Sequence, residues 1–125
     1  MTELSRSDKQ MIGELEAGRE RLLSEPSLQI LLSNLRRKLR SITRNLYIFD
    51  SNPEQTEDLY RVLVDGTTVV HIEIPRDAQY GEVVFEKWSV KEYLNIRKSL
   101  TGLHRRRFGM ALGLAEQRAK HNLPV

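Results

Sequence analysis

The sequence predicts an α+β domain: two N-terminal helices, a roughly four-stranded antiparallel sheet centred on an Asp65-Gly66 hairpin, and a C-terminal helix. Three observations carry this expectation. Apolar residues recur at helical spacing within residues 1–44, strand-like runs flank an Asp-Gly pair within 45–88, and helical spacing returns across 89–122. The 125 residues contain no repeat, low-complexity tract or linker, so 1–125 reads as a single domain. A chain of this length buries enough surface to fold without a disulfide or a metal.

Each element has its own signal. Ser7-Asp8-Lys9-Gln10 fits a capping box, in which the Ser hydroxyl and the Gln side chain each satisfy an orphan backbone amide. Met11, Ile12, Leu15, Leu22 and Leu23 follow at roughly helical spacing. Ser24-Glu25-Pro26 interrupts, because proline lacks the amide and suits only a first helical turn. A second helix then carries Leu28, Leu31, Leu32, Leu35, Leu39 and Ile42 on one side, with Ser33, Arg36, Arg37, Arg40 and Arg44 opposite.

The pattern changes at Asn45. Leu46-Tyr47-Ile48-Phe49 is short, aromatic and β-branched, as a strand should be, and a polar loop follows from Asp50 to Asp58. The strongest local signal is LYRVLV-DG-TTVVHIEI. Asp-Gly between two β-rich runs suits a type I′ turn, which needs positive φ at both central residues. A two-residue loop would set Val64 beside Thr67, Val62 beside Val69 and Tyr60 beside His71. A last strand spans Glu82 to Trp88, and helices are expected to cover one face of the sheet.

Ser89-Val90-Lys91-Glu92 is a second capping box, opening a helix with Tyr93, Ile96, Leu100 and Leu103 on its apolar side. Thr101-Gly102 ends or weakens that helix near Gly102, after which the pattern resumes to about Lys120. There Phe108, Leu112, Ala115 and Ala119 share one side, widened by Leu100, Leu103, Met110, Ala111 and Leu114. Such a band packs against the sheet or the first helices.

Charge is segregated along the chain. The net of +3 hides −2 over residues 1–25, +5 over 26–49, −6 over 50–89 and +6 over 90–125. Residues 26–49 contain no acid at all. Arg36, Arg40 and Arg44 recur every four residues, where like charges repel and a stability-driven surface would interleave glutamates. Arginine's planar fork suits phosphate and stacked bases.

The functional expectation is therefore a non-enzymatic accessory or regulatory protein that binds nucleic acid, DNA or RNA, chiefly through phosphate. The contacts would come from Arg36, Arg37, Lys38, Arg40 and Arg44 in the first basic segment. The second would supply Arg105, Arg106, Arg107, Arg118 and Lys120. The rival class is a small adaptor, inhibitor or chaperone-like protein whose basic helices dock on an acidic protein surface.

A second alternative is a small nuclease with its site on the hairpin face. Tyr60, His71 and Glu73 share that face in the expected pairing, and histidine beside a carboxylate is general-base chemistry. A half-buried cross-strand cluster with a structural role explains the same residues. Asp65, Glu73 and Lys87 resemble a metal-dependent nuclease set, but Pro75 stands where its Glu-x-Lys lysine belongs. Arg97 and His104 have the Arg-x6-His spacing found in some all-helical ribonucleases, which the central sheet argues against.

No cofactor or metal is expected. Cysteine is absent, which excludes disulfides, thiolate metal sites and thiol nucleophiles, and only His71, His104 and His121 remain as imidazole ligands. No phosphate-loop, nucleophile-elbow or zinc-protease motif occurs. With no signal-like N-terminus and no apolar run of membrane length, the expected setting is the cytoplasm, without membrane contact. The long amphipathic N-terminal helices suggest an exposed apolar stripe and hence a homodimer.

Overall fold

The structure, a computed structural model, describes residues 5–39, 42–54, 56–77, 81–96 and 102–121. Helix α1 spans Arg6–Ser24, and a short 3-10 turn at Pro26–Leu28 leads into α2, Gln29–Lys38. Four strands follow: β1 Leu46–Pro53, β2 Glu57–Val64, β3 Thr68–Pro75 and β4 Val84–Ser89. Helices α3, Val90–Ile96, and α4, Gly102–His121, complete the order. The sheet is an antiparallel meander, β1-β2-β3-β4. The α+β architecture is the one the sequence predicts.

Local chemistry sets most element ends. At α1 the capping box is Ser5 with Asp8, two residues before the expected one. Ser7 is thereby released from capping, and its hydroxyl turns outward to other partners. At α3 the expected box forms: Glu92 N–H donates to Ser89 Oγ at 3.1 Å, and Ser89 N–H to Glu92 Oε1 at 2.9 Å. Those hydrogen bonds hold the Glu92 carboxyl below the usual carboxylate range. Gly102, at φ +60, starts α4 in a backbone region that suits glycine. The C-terminal helical segment therefore consists of two helices, and Leu100 and Arg97 lie outside the described residues.

The hairpin turn combines an expected and an unexpected feature. Asp65 and Gly66 adopt φ +54 and +70, and Thr67 N–H donates to Val64 O at 3.1 Å, as a type I′ turn requires. Thr67 is an extra loop residue, however, so Val64 pairs with Thr68, Val62 with Val70 and Tyr60 with Ile72. The register thus differs by one from the two-residue expectation. One residue of slip exchanges the faces of a strand's side chains relative to its partner. The observed register matches Leu63 with Val69 and Val62 with Val70, keeping apolar beside apolar on both faces.

Both faces of the sheet are covered, not one. Tyr47, Phe49, Leu63 and Val69 lie in a core with Tyr93 of α3, Phe108, Ala111 and Ala115 of α4, and Met11 and Leu15 of α1. Leu46, Val62, Val64, Val70 and Ile72 point the other way, into a core with Leu22 of α1 and Leu31, Leu32 and Leu35 of α2. Because α1 contributes to both cores, it crosses the outer edge at β1 and shields that edge strand. Of the stripe on which the homodimer expectation rested, Met11, Leu15, Leu22, Leu31, Leu32 and Leu35 are buried within the chain, and Ile12, Leu23, Leu28, Leu39 and Ile42 are half-buried. On α4 the apolar band is narrower than expected, with Leu103 and Ala119 exposed.

Gly66 has a second constraint. A Cβ there would lie 3.3 Å from Ala115 Cβ, so the turn and α4 approach closely. Asn45 ties the same region together: its side chain donates to Ala115 O at 2.9 Å, and its carbonyl accepts from Asp65 N–H at 2.8 Å. Among the described residues, no helix is long and apolar enough to cross a membrane.

Candidate nucleic-acid interface

The last turn of α2 carries Arg36, Arg37 and Lys38, all exposed. Burial of Leu31, Leu32 and Leu35 against the sheet fixes the rotation of the helix and turns these three cations outward. Successive residues are about 100° apart, so the three fan around the outer surface rather than forming one row. Arg37 Nη2 donates to Asn34 Oδ1 at 2.7 Å, and Asn34 Nδ2 donates to Ile30 O at 2.8 Å, which orients that guanidinium. Arg44 is exposed on the segment leading to β1, and its carbonyl accepts from the buried Arg19 Nε at 2.8 Å. Arg40 lies outside the described residues. Among the described residues, none of Arg36, Arg37, Lys38 and Arg44 makes an ion pair.

The second basic segment has a different fate. Arg106 Nε donates to Asp8 Oδ1 at 3.0 Å, its Nη2 also pairs with Asp8, and the same nitrogen donates to Ser7 Oγ at 2.7 Å. Arg107 lies 3.7 Å from Glu14, and Arg118 Nη2 is 3.1 Å from Glu16. Arg118 Nε donates to Tyr47 Oη at 3.1 Å, and Tyr47 O–H donates to Glu16 Oε1 at 2.7 Å. Burial raises the Tyr47 hydroxyl pKa, while its hydrogen bond to Arg118 raises that of the guanidinium. Lys120 pairs with Glu116 one turn away, at 3.7 Å. Of these five cations, exposed Arg105 alone lacks an ion pair among the described residues. The neutralising acids come mainly from α1, not from the acidic sheet segment.

Helices α2 and α4 pack on opposite faces of the sheet, so Arg36, Arg37 and Lys38 of α2 do not share one surface with Arg105, Arg106, Arg107, Arg118 and Lys120 of α4. The structure groups Arg36, Arg37 and Lys38 on α2. It engages Arg106, Arg107 and Arg118 as α1–α4 ties.

One of those ties makes a testable contribution. Asp8 is held below the usual carboxylate range, first by its hydrogen bond to Arg106 and then by Ser5. A carboxyl with a lowered folded pKa stabilises the fold above its unfolded value near 4, and that contribution is lost as pH falls through the folded value. D8N should therefore lower the melting temperature at neutral pH, and the gap to wild type should close on acidification below about pH 4. A gap that stays constant from neutral to acid would mean that the Asp8 charge makes no such contribution.

The hairpin face holds a cluster that the expected pairing disguised. Tyr60 is on the face opposite His71, and its place beside His71 is taken by Arg61. A β-bulge at Phe49, between the pairs Ile48–Val62 and Asp50–Arg61, turns Asp50 onto this same face. Arg61 Nε donates to His71 Nδ1 at 3.3 Å, and its Nη1 donates to Tyr93 Oη at 3.3 Å and lies 3.9 Å from Asp50. Glu73 is 3.0 Å from His71 Nε2, and His104 Nε2 is 3.1 Å from Tyr93 Oη. Asp50 lies 3.7 Å from His104 Nδ1.

Arginine can only donate, and this fixes the proton position on His71. His71 Nδ1 must accept, which leaves Nε2–H to donate to Glu73. Tyr93 Oη accepts from Arg61 and also hydrogen-bonds with His104 Nε2, while His104 Nδ1 faces Asp50. The His71 lone pair is thus occupied. A general base needs such a nitrogen within reach of a substrate proton. The cluster clamps β1, β2, β3, α3 and α4 together through hydrogen bonds and ion pairs.

Sequence reading missed Arg61, Asp50 and Tyr93 as partners of His71 and His104. The matched apolar pairs of the three-residue loop were the signal available for Arg61. Nothing local announces the bulge at Phe49. Among the described residues, no group of three or more His, Asp or Glu side chains is arranged to hold a metal ion. Comparisons with protein families, curated proteins and solved structures find no match.

Proposed function

We propose that the protein binds nucleic acid through the C-terminal turn of α2 and Arg44, as an accessory or regulatory factor that acts by binding rather than by catalysis. One observation carries the reading: exposed Arg36, Arg37, Lys38 and Arg44 are without ion pairs among the described residues, whereas α1 acids engage Arg106, Arg107 and Arg118. Cations at a helix C-terminus also oppose the negative end of its dipole, which favours Arg36, Arg37 and Lys38 in any protein. Arg44 lies beyond the helix and has no such reason to be there. The occupied His71 lone pair in the hairpin cluster supports the non-catalytic part.

The test is a shift assay at ~100 mM salt with random duplex, single-stranded DNA and RNA, where non-specific dissociation constants fall at roughly 10⁻⁴–10⁻⁶ M. The R36E/R37E/K38E variant should weaken binding to every nucleic acid by tenfold or more, an order-of-magnitude effect expected when about three phosphates are no longer neutralised. Its melting temperature should fall modestly, because three anions replace cations at the helix C-terminus, while the variant stays folded because the three side chains are exposed. The logarithmic salt slope should also shrink, by about 0.9 for each phosphate that the variant leaves to its counterions. Unchanged affinity in the variant would exclude α2 as the binding surface.

A further inference from the structure

Beside the cationic end of α2 lies a cleft of about 550 Å³, between that helix and the end of β3. Ile74, Pro75 and Val83 form its apolar floor, and Ile30 stands at the wall. Ile30 is 59% exposed, the one large apolar side chain of α2 left open to solvent. Arg37 and Lys38 rim the cleft on the helix side and Arg76 on the strand side, against one lining acid among the described residues, Glu82. A narrower groove of about 170 Å³ continues from Ile30, Ile74, Pro75 and Arg76 toward Tyr60 and Ser27.

Both rim guanidiniums are held in place. Arg37 is oriented by Asn34. Arg76 donates through Nη2 to Asp58 Oδ1 at 2.9 Å and through Nε to the same oxygen at 3.3 Å. Those hydrogen bonds fix the guanidinium plane, whose charge an arginine keeps in any case. A pre-oriented guanidinium is a stacking surface for an unpaired base, in the way arginine planes serve in single-strand recognition.

We propose that this cleft seats one unpaired nucleobase of a single-stranded nucleic acid, against Ile30, Ile74 and Arg76, with the flanking phosphates on Arg37 and Lys38. The proposal rests on the nucleic-acid reading above and adds a preference for single strands. A duplex can place phosphates on α2, but its paired bases remain stacked within the helix. A single strand can turn one base out at little cost. The cleft volume falls in the range of sites for nucleotide-sized ligands. An acidic peptide would use the same cations but would leave the apolar floor without a flat ring to cover.

Fluorescence anisotropy at ~100 mM salt separates the possibilities, using a short single strand, the matching duplex, an abasic strand of equal length and polyglutamate. The single strand should bind about fivefold or more tightly than either the duplex or the abasic strand, the lower end of what one stacked base contributes. Ile30→Glu should bring its affinity down to the abasic level, while Ile30→Met should preserve the difference. Thermal unfolding should show both variants folded, since Ile30 is exposed. Equal binding of the intact and abasic strands, with R36E/R37E/K38E weakening both, would overturn the base seat and leave phosphate binding standing. Failure of every nucleic acid to bind would overturn both readings. Polyglutamate binding as tightly as the intact strand would assign the cleft to acidic chains instead.

Discussion

Phe108→Ala should destabilise the protein by about 4 kcal/mol, in the range for a buried phenylalanine truncated in a close-packed core. Phe108 is 2% exposed, and its ring centroid lies 4.8 Å from that of Phe49 and 5.2 Å from that of Tyr93. The Tyr93 contact is edge-on at 67°, an arrangement that adds to simple area burial. The three rings join α4, β1 and α3, so no single element can move to fill the cavity. Domains of this size have only about 5–15 kcal/mol of stability in total, so the variant should be folded but marginal. Urea denaturation should show a lower midpoint with an unchanged slope. A loss below about 1 kcal/mol would mean that the site collapses around the truncation and that the rings do not anchor α4.

Arg61→Met should cost about 3 kcal/mol, although methionine matches much of the arginine stem. The loss comes from the groups left behind. His71 Nδ1 and Tyr93 Oη are each deprived of a donor, and Asp50 of a neighbouring cation. Removing one partner from a buried polar network costs more than the network contributes when intact. Water reaches Asp50, whose side chain is 39% exposed, and this keeps the loss toward the lower end of what a fully buried pair would give. Arg61→Lys should recover only part of the stability, because one ammonium on a flexible stem cannot face three partners in three directions. Nitrogen NMR of the imidazoles supplies a readout specific to the clamp. His71 should be Nε2–H in the wild type, and that assignment should lose definition in Arg61→Met. An unchanged His71 tautomer with unchanged stability would mean that His71 is fixed by its carboxylate alone.

The clamp bears on how α3 and α4 relate to the sheet. Tyr93 is buried and belongs to the aromatic core, yet its hydroxyl reaches Arg61 and His104 at the polar end of the same face. One residue therefore connects the apolar anchor at Phe108 to the polar cluster. The two substitutions share Tyr93 as a neighbour, so their effects should not add when combined.

Some of this was determined by the sequence alone. The Ser89–Glu92 box and the positive φ of Asp65 and Gly66 depend on dihedrals and hydrogen bonds within a few residues, which residue type governs directly. The α+β order follows from apolar spacing, which depends on the same short range. The apolar side of α2 was legible for the same reason, and with it the outward direction of Arg36, Arg37 and Lys38.

Only the tertiary structure decided the rest. Thr67 joins the loop because the whole hairpin then matches apolar pairs on both faces, and that choice moves Arg61 to His71 and Tyr60 away from it. The bulge at Phe49 is set by packing against α3 and α4, and it alone brings Asp50 to His104. Segment charges gave the signs but not the neighbours: Arg106 is paired with Asp8, far away in the chain, while Arg36 keeps an open surface. A cation's availability depends on which acid the folded chain brings within a few ångströms, and burial of two cores over the whole domain sets that distance.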